Sequence, residues 1–232
     1  MQKLIDGIHS FQSNIFGQRR GFFEHLAHGQ QPEVLFITCA DSRINPNLIT
    51  QTDPGELFIV RNAGNLVAPH NPSALASAEG SAVEYAIDVL KVKHLIICGH
   101  SHCGAMKAVL DPDSAKSLPA VSAWLGHADA TRRIMQTSYK HLSGDALLTA
   151  TAQENVLVQL DHLRTLPSVA AALTRPDPIQ LHAWVYKLET GQVFAYDRDE
   201  KQFLPVVSEN GADPALRVPA ANRNVPAPSH RI

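Results

Sequence analysis

Cysteine is scarce in this chain, and that scarcity narrows the class of protein. Its 232 residues contain three cysteines, Cys39, Cys98 and Cys103. An odd number at wide spacing argues against the disulfide framework of a small secreted domain. We therefore expect reduced thiols that act as core residues, as metal ligands or as a nucleophile.

Excess charge and long apolar runs are also missing. The 20 Lys and Arg residues nearly balance the 22 Asp and Glu residues, which leaves a formal net charge of -2. No basic field is therefore available to attract nucleic acid or an anionic membrane. No stretch reaches the roughly 18 apolar residues of a spanning helix, and the N-terminal segment has no small-residue cleavage site. We expect a cytoplasmic protein that binds neither nucleic acid nor a membrane.

Short apolar runs rich in β-branched residues alternate with helical patterns. Such runs predict strands buried on both faces of a parallel sheet, here at 34–40, 57–63 and 94–100. Between the last two, apolar residues at helical spacing follow a Pro72-Ser73 start signal and predict a crossover helix. No Gly-x-Gly-x-x-Gly motif follows the first strand, so a nucleotide-binding Rossmann protein is disfavoured.

The second half of the chain predicts a helix and a hairpin. Apolar residues share one face of a helix at 145–163, with Glu154 of a Thr-x-x-Glu box at its start or within it. Two strands flank a Thr190-Gly191 turn, which suggests a hairpin at the edge of the sheet. The predicted class is an α/β fold with a mostly parallel central β-sheet flanked by helices, an antiparallel edge strand and an N-terminal helical arm.

Chemically active residues follow two of the predicted strands. Cys39, Asp41 and Arg43 end the first strand, while His100 and Cys103 end the third. Ligands of open α/β sheets gather at the carboxyl ends of the strands, so we expect these side chains to meet. Two thiolates and one imidazole suit Zn²⁺, and three protein ligands leave a fourth position open, as in catalytic zinc sites.

Each of these residues also has a structural interpretation. Cys39 and Cys103 could be ordinary buried thiols, and the Asp41-Ser42-Arg43 run could be a surface turn with a local ion pair. The combination favours a site over a set of coincidences. We prefer His100 to His102 as the ligand because residues three apart converge around one turn. Cys98 lies within a strand and is predicted to be a core residue.

Four segments of the sequence resemble those of a known family. The segments "CADSR" (39–43), "PGELFIVRNAGN" (54–65), "EYAIDVLKVKHLIICGH" (84–100) and "GHSHCG" (99–104) are similar to those of the β-class carbonic anhydrases. The resemblance covers roughly residues 1–200, and it is strongest to the cyanobacterial carboxysomal branch, through "QPEVLFITCADSRINPNLIT" and "GHSHCGAMKAVL".

The resemblance implies a reaction and roles for the residues. It implies zinc on Cys39, His100 and Cys103, and reversible hydration of carbon dioxide to bicarbonate and a proton by zinc-bound hydroxide. Asp41 would accept a hydrogen bond from that hydroxide, and Arg43 would keep Asp41 ionised and off the metal. Without Arg43, Asp41 could become the fourth ligand. One subclass has a regulatory bicarbonate site containing a tryptophan, an arginine and a tyrosine.

In this sequence that tryptophan position is Phe36, while Arg61 and Tyr186 correspond to the other two residues. A phenyl ring lacks the indole N–H donor. We therefore predict the open subclass, in which water and not Asp41 occupies the fourth position.

The resemblance also implies a substrate pocket and an assembly. The pocket residues would be Gln30, Phe58, Ala63 and Tyr85, with Ala63 where valine is common and thus a roomier pocket. In the family the N-terminal arm lies over a neighbouring subunit, which predicts a homodimer or larger homo-oligomer with some pocket residues crossing the interface. Packing of the arm on its own domain is the alternative.

We therefore divide the chain into three parts. A helical dimerisation arm at 1–30 precedes a zinc-binding α/β catalytic domain at 31–204, and an extended or partly disordered tail follows at 205–232. The tail could bind carboxysome partners. Two other functions stay open: a non-catalytic zinc scaffold of a carbon-fixation assembly, and a hydrolase of carbon disulfide or carbonyl sulfide.

Overall fold

A six-stranded mixed sheet forms the centre of the protein. The computed structural model describes residues 1–73 and 77–207. The strands lie in the order β2-β1-β3-β4-β5-β6. They are β1 (Val34–Cys39), β2 (Leu57–Asn62), β3 (His94–His100), β4 (Gln180–Tyr186), β5 (Val193–Asp197) and β6 (Gln202–Pro205). Strands β1 to β4 run parallel to one another, whereas β5 pairs antiparallel with β4 and β6 pairs antiparallel with β5. The predicted fold class is confirmed.

Helices flank this sheet. Their bounds are α1 (Gln2–Ser10), α2 (Arg20–Leu26), α3 (Pro46–Thr50), α4 (Ala78–Asp88), α5 (Gly104–Leu110), α6 (Pro119–Leu125), α7 (Asp129–Ser138), α8 (Gly144–Thr165) and α9 (Pro167–Ala172). Within the described residues, none of the helices combines the length and the apolar character needed to cross a membrane.

The main core lies between the sheet and helices α4, α8 and α9. Alternate strand residues such as Leu35, Ile37, Leu95 and Ile97 point into it and are fully buried. The opposite face of the sheet carries a second cluster around Phe36 and its neighbours on β3 and β4. The continuous apolar runs thus become strands because both of their faces are buried.

Helix α8 crosses the sheet as the predicted second helix and is buried on nearly every side. Its predicted apolar face is buried, at Ala152, Val156, Leu160 and Leu163. Glu154 lies within the helix and not at its start. Its carboxylate accepts a hydrogen bond from the buried hydroxyl of Tyr139. The helix therefore carries polar side chains through the core of the protein.

Two predicted boundaries differ from the structure. Helix α4 begins at Ala78 and not at Pro72-Ser73, because the Ser77 hydroxyl accepts a hydrogen bond from the Gly80 N–H and caps the helix. The predicted hairpin is followed by β6, so β5 is not the edge strand. Residues 208–232 lie outside the described residues, and the tail remains a prediction.

The N-terminal segment is helical, as its apolar spacing predicted. Helix α1 continues through a π-helical segment, Phe11–Phe16, and α2 follows. Its apolar side chains face outward: Leu4 is 63% exposed, Ile8 57% and Ile15 50%. Arg19, directly before α2, binds the domain through two hydrogen bonds to Asp53, of 2.8 and 2.6 Å. Leu26 of α2 packs beside Gly55 of the domain, whereas the apolar face of α1 and of the π-helical segment has no such cover.

Candidate metal centre

The predicted cysteine and histidine side chains meet at the carboxyl ends of β1 and β3. These strands are adjacent and parallel, so Cys39 at the end of β1 lies beside the end of β3, where His100 stands. The chain then turns through Ser101 and His102, and Cys103 precedes the first residue of α5. Strand pairing and one tight turn therefore build the site.

The three side chains form a compact buried group. The Sγ atoms of Cys39 and Cys103 are 4.0 Å apart, and all three potential ligand atoms lie within 4.8 Å of one another. Cys39 is 6% exposed, His100 0% and Cys103 1%. Cys98, by contrast, is buried outside the group, and burial raises its pKa to about 12. The core role predicted for Cys98 is confirmed.

The imidazole of His100 has one engaged nitrogen and one unengaged nitrogen. Nδ1 lies 2.8 Å from the carbonyl oxygen of Ser101, so it carries the proton and donates. Nε2 is buried without a hydrogen-bond partner among the described residues. His102 is half-exposed, with its Nε2 3.6 Å from Glu189. The structure thus groups His100, and not His102, with the cysteines.

The electrostatics of the two thiols favour a bound cation. A hydrogen bond from the Cys103 thiol lowers the pKa of Cys39, so the first thiolate forms readily. The same hydrogen bond and then burial raise the pKa of Cys103. A second negative charge in this buried space therefore needs a positive partner.

The loop after β2 closes one side of the group. The Gly64 N–H donates to Cys39 Sγ at 3.4 Å, and the amide of Asn155 on α8 donates to the Gly64 carbonyl at 3.1 Å. The Gly64 backbone has φ +83°, and an added Cβ would lie 2.9 Å from the Cβ of Ala105. Sequence reasoning missed both residues. The signal available was the "AGN" turn after a predicted strand, which is typical of a left-handed backbone.

Asp41 and Arg43 form a closed pair next to the cysteines. Asp41 Oδ1 accepts from the Arg43 N–H (3.0 Å) and Nε (2.9 Å), and Oδ2 accepts from Nη2 (2.7 Å). These hydrogen bonds hold the pKa of Asp41 well below its usual range. Oδ2 also lies 3.9 Å from His100 Nε2. The carboxylate, held by Arg43, therefore faces the group of Cys39, His100 and Cys103, which we call the metal-type group.

Arg61 supports the same segment from β2, a role that the sequence did not indicate. Its guanidinium donates to the carbonyl oxygens of Cys39 (3.1 Å) and Asp41 (2.7 Å). The side chain thereby fixes the backbone that carries the first ligand and the carboxylate.

The residues present fit a tetrahedral zinc ion. Zn–S bonds of about 2.3 Å place two sulfur atoms roughly 3.8 Å apart in a tetrahedral site, close to the 4.0 Å found between Cys39 and Cys103. The unpartnered His100 Nε2 would supply the third donor. Both oxygens of Asp41 are engaged by Arg43, so a zinc ion held here would have three protein ligands, as in catalytic zinc sites.

The predicted substrate residues lie in different places. Ala63 directly follows β2, beside Gly64, and its carbonyl accepts from the Trp124 indole at 2.9 Å. Phe58 lies on β2 opposite Leu35 of β1. It is four residues before Asn62, which is the residue opposite Cys39. Four strand residues span roughly 13 Å, so Phe58 lies far from the metal-type group of its own chain.

Tyr85 and Gln30 also lie away from the group. The Tyr85 ring contacts Phe58, with ring centroids 6.0 Å apart. Gln30 is exposed and precedes β1, whose Val34–Cys39 span separates it from the ligand end. Of the four predicted pocket residues, one chain thus brings only Ala63 close to Cys39.

Comparisons with known proteins agree with this arrangement. A sequence profile described as carbonic anhydrase matches residues 34–193. A carbonic anhydrase of the cyanobacterium Synechocystis sp. is 48% identical over 198 residues, which cover 85% of this chain and 71% of that protein. The structure of the β-carbonic anhydrase CcaA superposes with a TM-score of 0.85 at 46% identity, covering 89% of this chain and 99% of that one.

A more distant structure bears on assembly. One of two tetrameric β-carbonic anhydrases from Sordaria macrospora superposes with a TM-score of 0.75 at 26% identity, covering 84% of this chain and 95% of that one. The fold and the site define an α/β protein with a buried Cys-His-Cys group of the kind that holds a catalytic metal. The chain belongs to the carbonic anhydrase family, in its β class and close to cyanobacterial members, and it is an enzyme of that family.

Proposed function

We propose that this chain catalyses the zinc-dependent, reversible hydration of carbon dioxide to bicarbonate and a proton. The observation that carries the proposal is the buried trio of Cys39, His100 and Cys103 beside a carboxylate that Arg43 holds in place. When bound to this trio, zinc would lower the pKa of a coordinated water from 15.7 towards about 7 and so provide a nucleophile near neutral pH.

The protein's own residues would orient and retain the reacting groups. Asp41 offers an ionised oxygen 3.9 Å from His100 Nε2, where it can accept a hydrogen bond from water at the fourth position. Arg43 keeps that carboxylate ionised and prevents it from occupying the position itself. Arg61 is committed to the backbone at Cys39 and Asp41, which supports the open arrangement predicted from Phe36.

We propose further that the active unit is a homo-oligomer. Gln30, Phe58 and Tyr85 lie away from their own chain's metal-type group, so they would serve as substrate-binding residues only beside the group of a neighbouring copy. The exposed apolar arm at 1–30 is suited to hold such a copy, because its outward side chains have no cover within one chain. The tetrameric relatives support an assembly of this kind.

Ala63 is the pocket residue that we assign to the same chain as the metal. It is exposed and follows β2 directly beside Gly64, the residue whose N–H contacts Cys39. A small apolar side chain here would leave room for carbon dioxide, which is itself small and apolar. We propose a cytoplasmic enzyme, in line with its reduced thiols; a carboxysome association through 205–232 stays a prediction.

The test is a stopped-flow measurement of carbon dioxide hydration. Protein as purified, protein stripped by a chelator, and stripped protein reloaded with Zn²⁺ are compared, with carbonyl sulfide and carbon disulfide as competing substrates. We expect hydration that is lost on stripping and restored by zinc. Turnover of the sulfur compounds without hydration would identify the alternative hydrolase, and zinc binding without any turnover would identify a scaffold protein.

A further inference from the structure

The hydrogen-bond partner of His100 is itself held by a distant segment. Ser101, whose carbonyl accepts from His100 Nδ1, is 2% exposed. Its N–H donates to the carbonyl of Tyr186 at 2.9 Å. Its hydroxyl accepts from the Leu188 N–H at 2.9 Å and donates to Glu189 Oε2 at 2.6 Å. Every one of these further contacts comes from the end of β4 or from the turn that leads to β5.

The turn that provides these contacts is itself tightly closed. The Lys187 N–H donates to the Gln192 carbonyl at 2.8 Å, and the Gly191 N–H donates to the Lys187 carbonyl at 2.9 Å. Gly191 has φ +69°, a conformation that favours glycine at such a turn. Glu189 therefore projects from a turn that two backbone hydrogen bonds close.

We infer that Glu189 is a positioning residue that fixes the imidazole of His100 through Ser101. The inference rests on the proposed zinc site. The Ser101 side chain is anchored to a carboxylate, and hydrogen bonds to charged groups are stronger than neutral ones. With its side chain and its N–H both held, Ser101 keeps its place beside His100, and its carbonyl oxygen lies 2.8 Å from Nδ1. That carbonyl sets both the tautomer and the ring orientation of His100, and would so keep Nε2 available to hold zinc.

A second acidic residue near the same turn provides a matched comparison. Asp145 Oδ1 lies 4.0 Å from His102 Nδ1, and Glu189 Oε2 lies 3.6 Å from His102 Nε2. Both carboxylates thus place one negative charge next to His102. Only Glu189 contacts Ser101. Removing each carboxylate in turn separates a loss of nearby charge from a loss of the anchor.

The experiment measures zinc affinity in Glu189→Ala, Glu189→Gln and Asp145→Ala, by competition with a chromophoric chelator. Residues that orient metal ligands typically contribute about 10- to 100-fold to metal affinity, so we expect a weakening in that range for Glu189→Ala. The amide oxygen of Glu189→Gln can still accept from Ser101, and most of the affinity should return. Asp145→Ala should stay within about twofold of the unaltered protein.

Two further readouts distinguish positioning from general destabilisation. Ser101→Ala and the double variant Ser101→Ala/Glu189→Ala should bind zinc equally weakly, because Glu189 acts through the missing hydroxyl. In the cobalt-substituted protein, Glu189→Ala should alter the visible ligand-field spectrum, whereas Asp145→Ala should not. Equal effects of Glu189→Ala and Asp145→Ala, or fully additive losses in the double variant, would overturn the inference. Absence of zinc binding by the unaltered protein would instead overturn the proposed function.

Discussion

The Sγ atoms of Cys39 and Cys103 lie 4.0 Å apart although 64 positions separate the two residues in the chain. They meet because β1 and β3 are neighbouring parallel strands that end at the same edge of the sheet. Two thiolates at this distance repel each other in a buried space unless a cation lies between them. The fold thus brings together two sulfur atoms that can both be thiolates only if a metal binds between them.

Replacing Arg43 tests whether this arginine keeps the Asp41 carboxylate away from the metal position next to the two cysteines. In Arg43→Ala, the side-chain hydrogen bonds that most lower the pKa of Asp41 are lost, so that pKa rises towards its ordinary value of about 3.9. The freed carboxylate, 3.9 Å from His100 Nε2, can then compete for the open position. We expect kcat/KM for carbon dioxide hydration to fall about 10- to 100-fold, measured by stopped flow at neutral pH.

Arg175→Ala is the matched control for this change. Arg175 pairs with Asp88 at 2.9 Å, and both side chains are about as exposed as Arg43. Asp88 ends α4 and Arg175 follows α9, and the pair has no role in the site. We expect unchanged activity in Arg175→Ala, and equal activities of the two arginine variants would contradict the role given to Arg43.

Gly64 and Gly191 provide a second comparison, between two glycines in the left-handed region. Their φ values are +83° and +69°, but an added Cβ meets Ala105 at 2.9 Å in the first case and open space in the second. Gly191→Ala should lower the free energy of unfolding by about 1–2 kcal/mol, the cost of the backbone conformation alone. Gly64→Ala should lower it by about 2–5 kcal/mol, since overpacking adds to that cost.

Chemical denaturation of the two glycine variants provides the free energies of unfolding. Gly64→Ala should also weaken zinc binding, because it displaces the N–H that contacts Cys39 Sγ. Equal destabilisation of the two variants, with zinc affinity unchanged in Gly64→Ala, would show that the close approach at Gly64 is unimportant.

The lowered pKa of His182 makes the free energy of unfolding depend on pH. Its Nε2 lies 3.2 Å from His94 Nδ1, and burial followed by the neighbouring His94 lowers the pKa of His182. The unfolded chain therefore takes up a proton near pH 6.5 that the folded protein resists. The stability that neutral His182 contributes is present above about pH 6.5 and declines as the pH falls below that value.

Thermal unfolding between pH 8 and pH 5 tests this expectation. His182→Asn cannot titrate in that range, so its melting temperature should fall less steeply with acidification than that of the unaltered protein. His70→Asn, at an exposed position, is the control and should retain the original slope. A slope that is the same in all three proteins would refute the role of His182.

The N-terminal arm tests the proposed assembly. Ile8 is 57% exposed on the apolar side of α1, and Ile8→Asp should shift the protein to smaller species in sedimentation velocity. Because Gln30, Phe58 and Tyr85 are assigned to a neighbouring copy's site, hydration activity per chain should fall with the mass. Gln12→Asp, a charge added at an exposed polar position of the same arm, should change neither quantity.

The sequence was sufficient to predict the fold class and the Cys-His-Cys group. Strands of a parallel sheet are buried on both faces, so they appear as continuous apolar runs, and the polar residues that end them stand out. Cys39, His100 and Cys103 could be chosen because each follows or ends such a run. The helix start at Ser77 and the short strand β6 were not predicted, because local signals at Pro72-Ser73 and after Leu204 pointed elsewhere.

The supporting hydrogen bonds could not be predicted from the sequence. Ser101 and Glu189 are 88 positions apart, and Asn155 and Gly64 are 91 apart. Polar residues in the middle of α8 resemble a solvated helix face, yet Asn155 and Gln159 are fully buried. Only the packing of the helix on the sheet distinguishes a buried amide that holds a loop from an exposed amide that meets water.

The most direct test of the account compares two cysteines that are both buried. Cys103 belongs to the metal-type group, and Cys98, five residues earlier, does not. Zinc content by mass spectrometry and carbon dioxide hydration are measured together in Cys103→Ala, Cys98→Ala and the unaltered protein. The account predicts that Cys98→Ala and the unaltered protein each hold one zinc per chain and are active. Cys103→Ala should have neither zinc nor activity. A Cys103→Ala protein that keeps its zinc and its activity would contradict it.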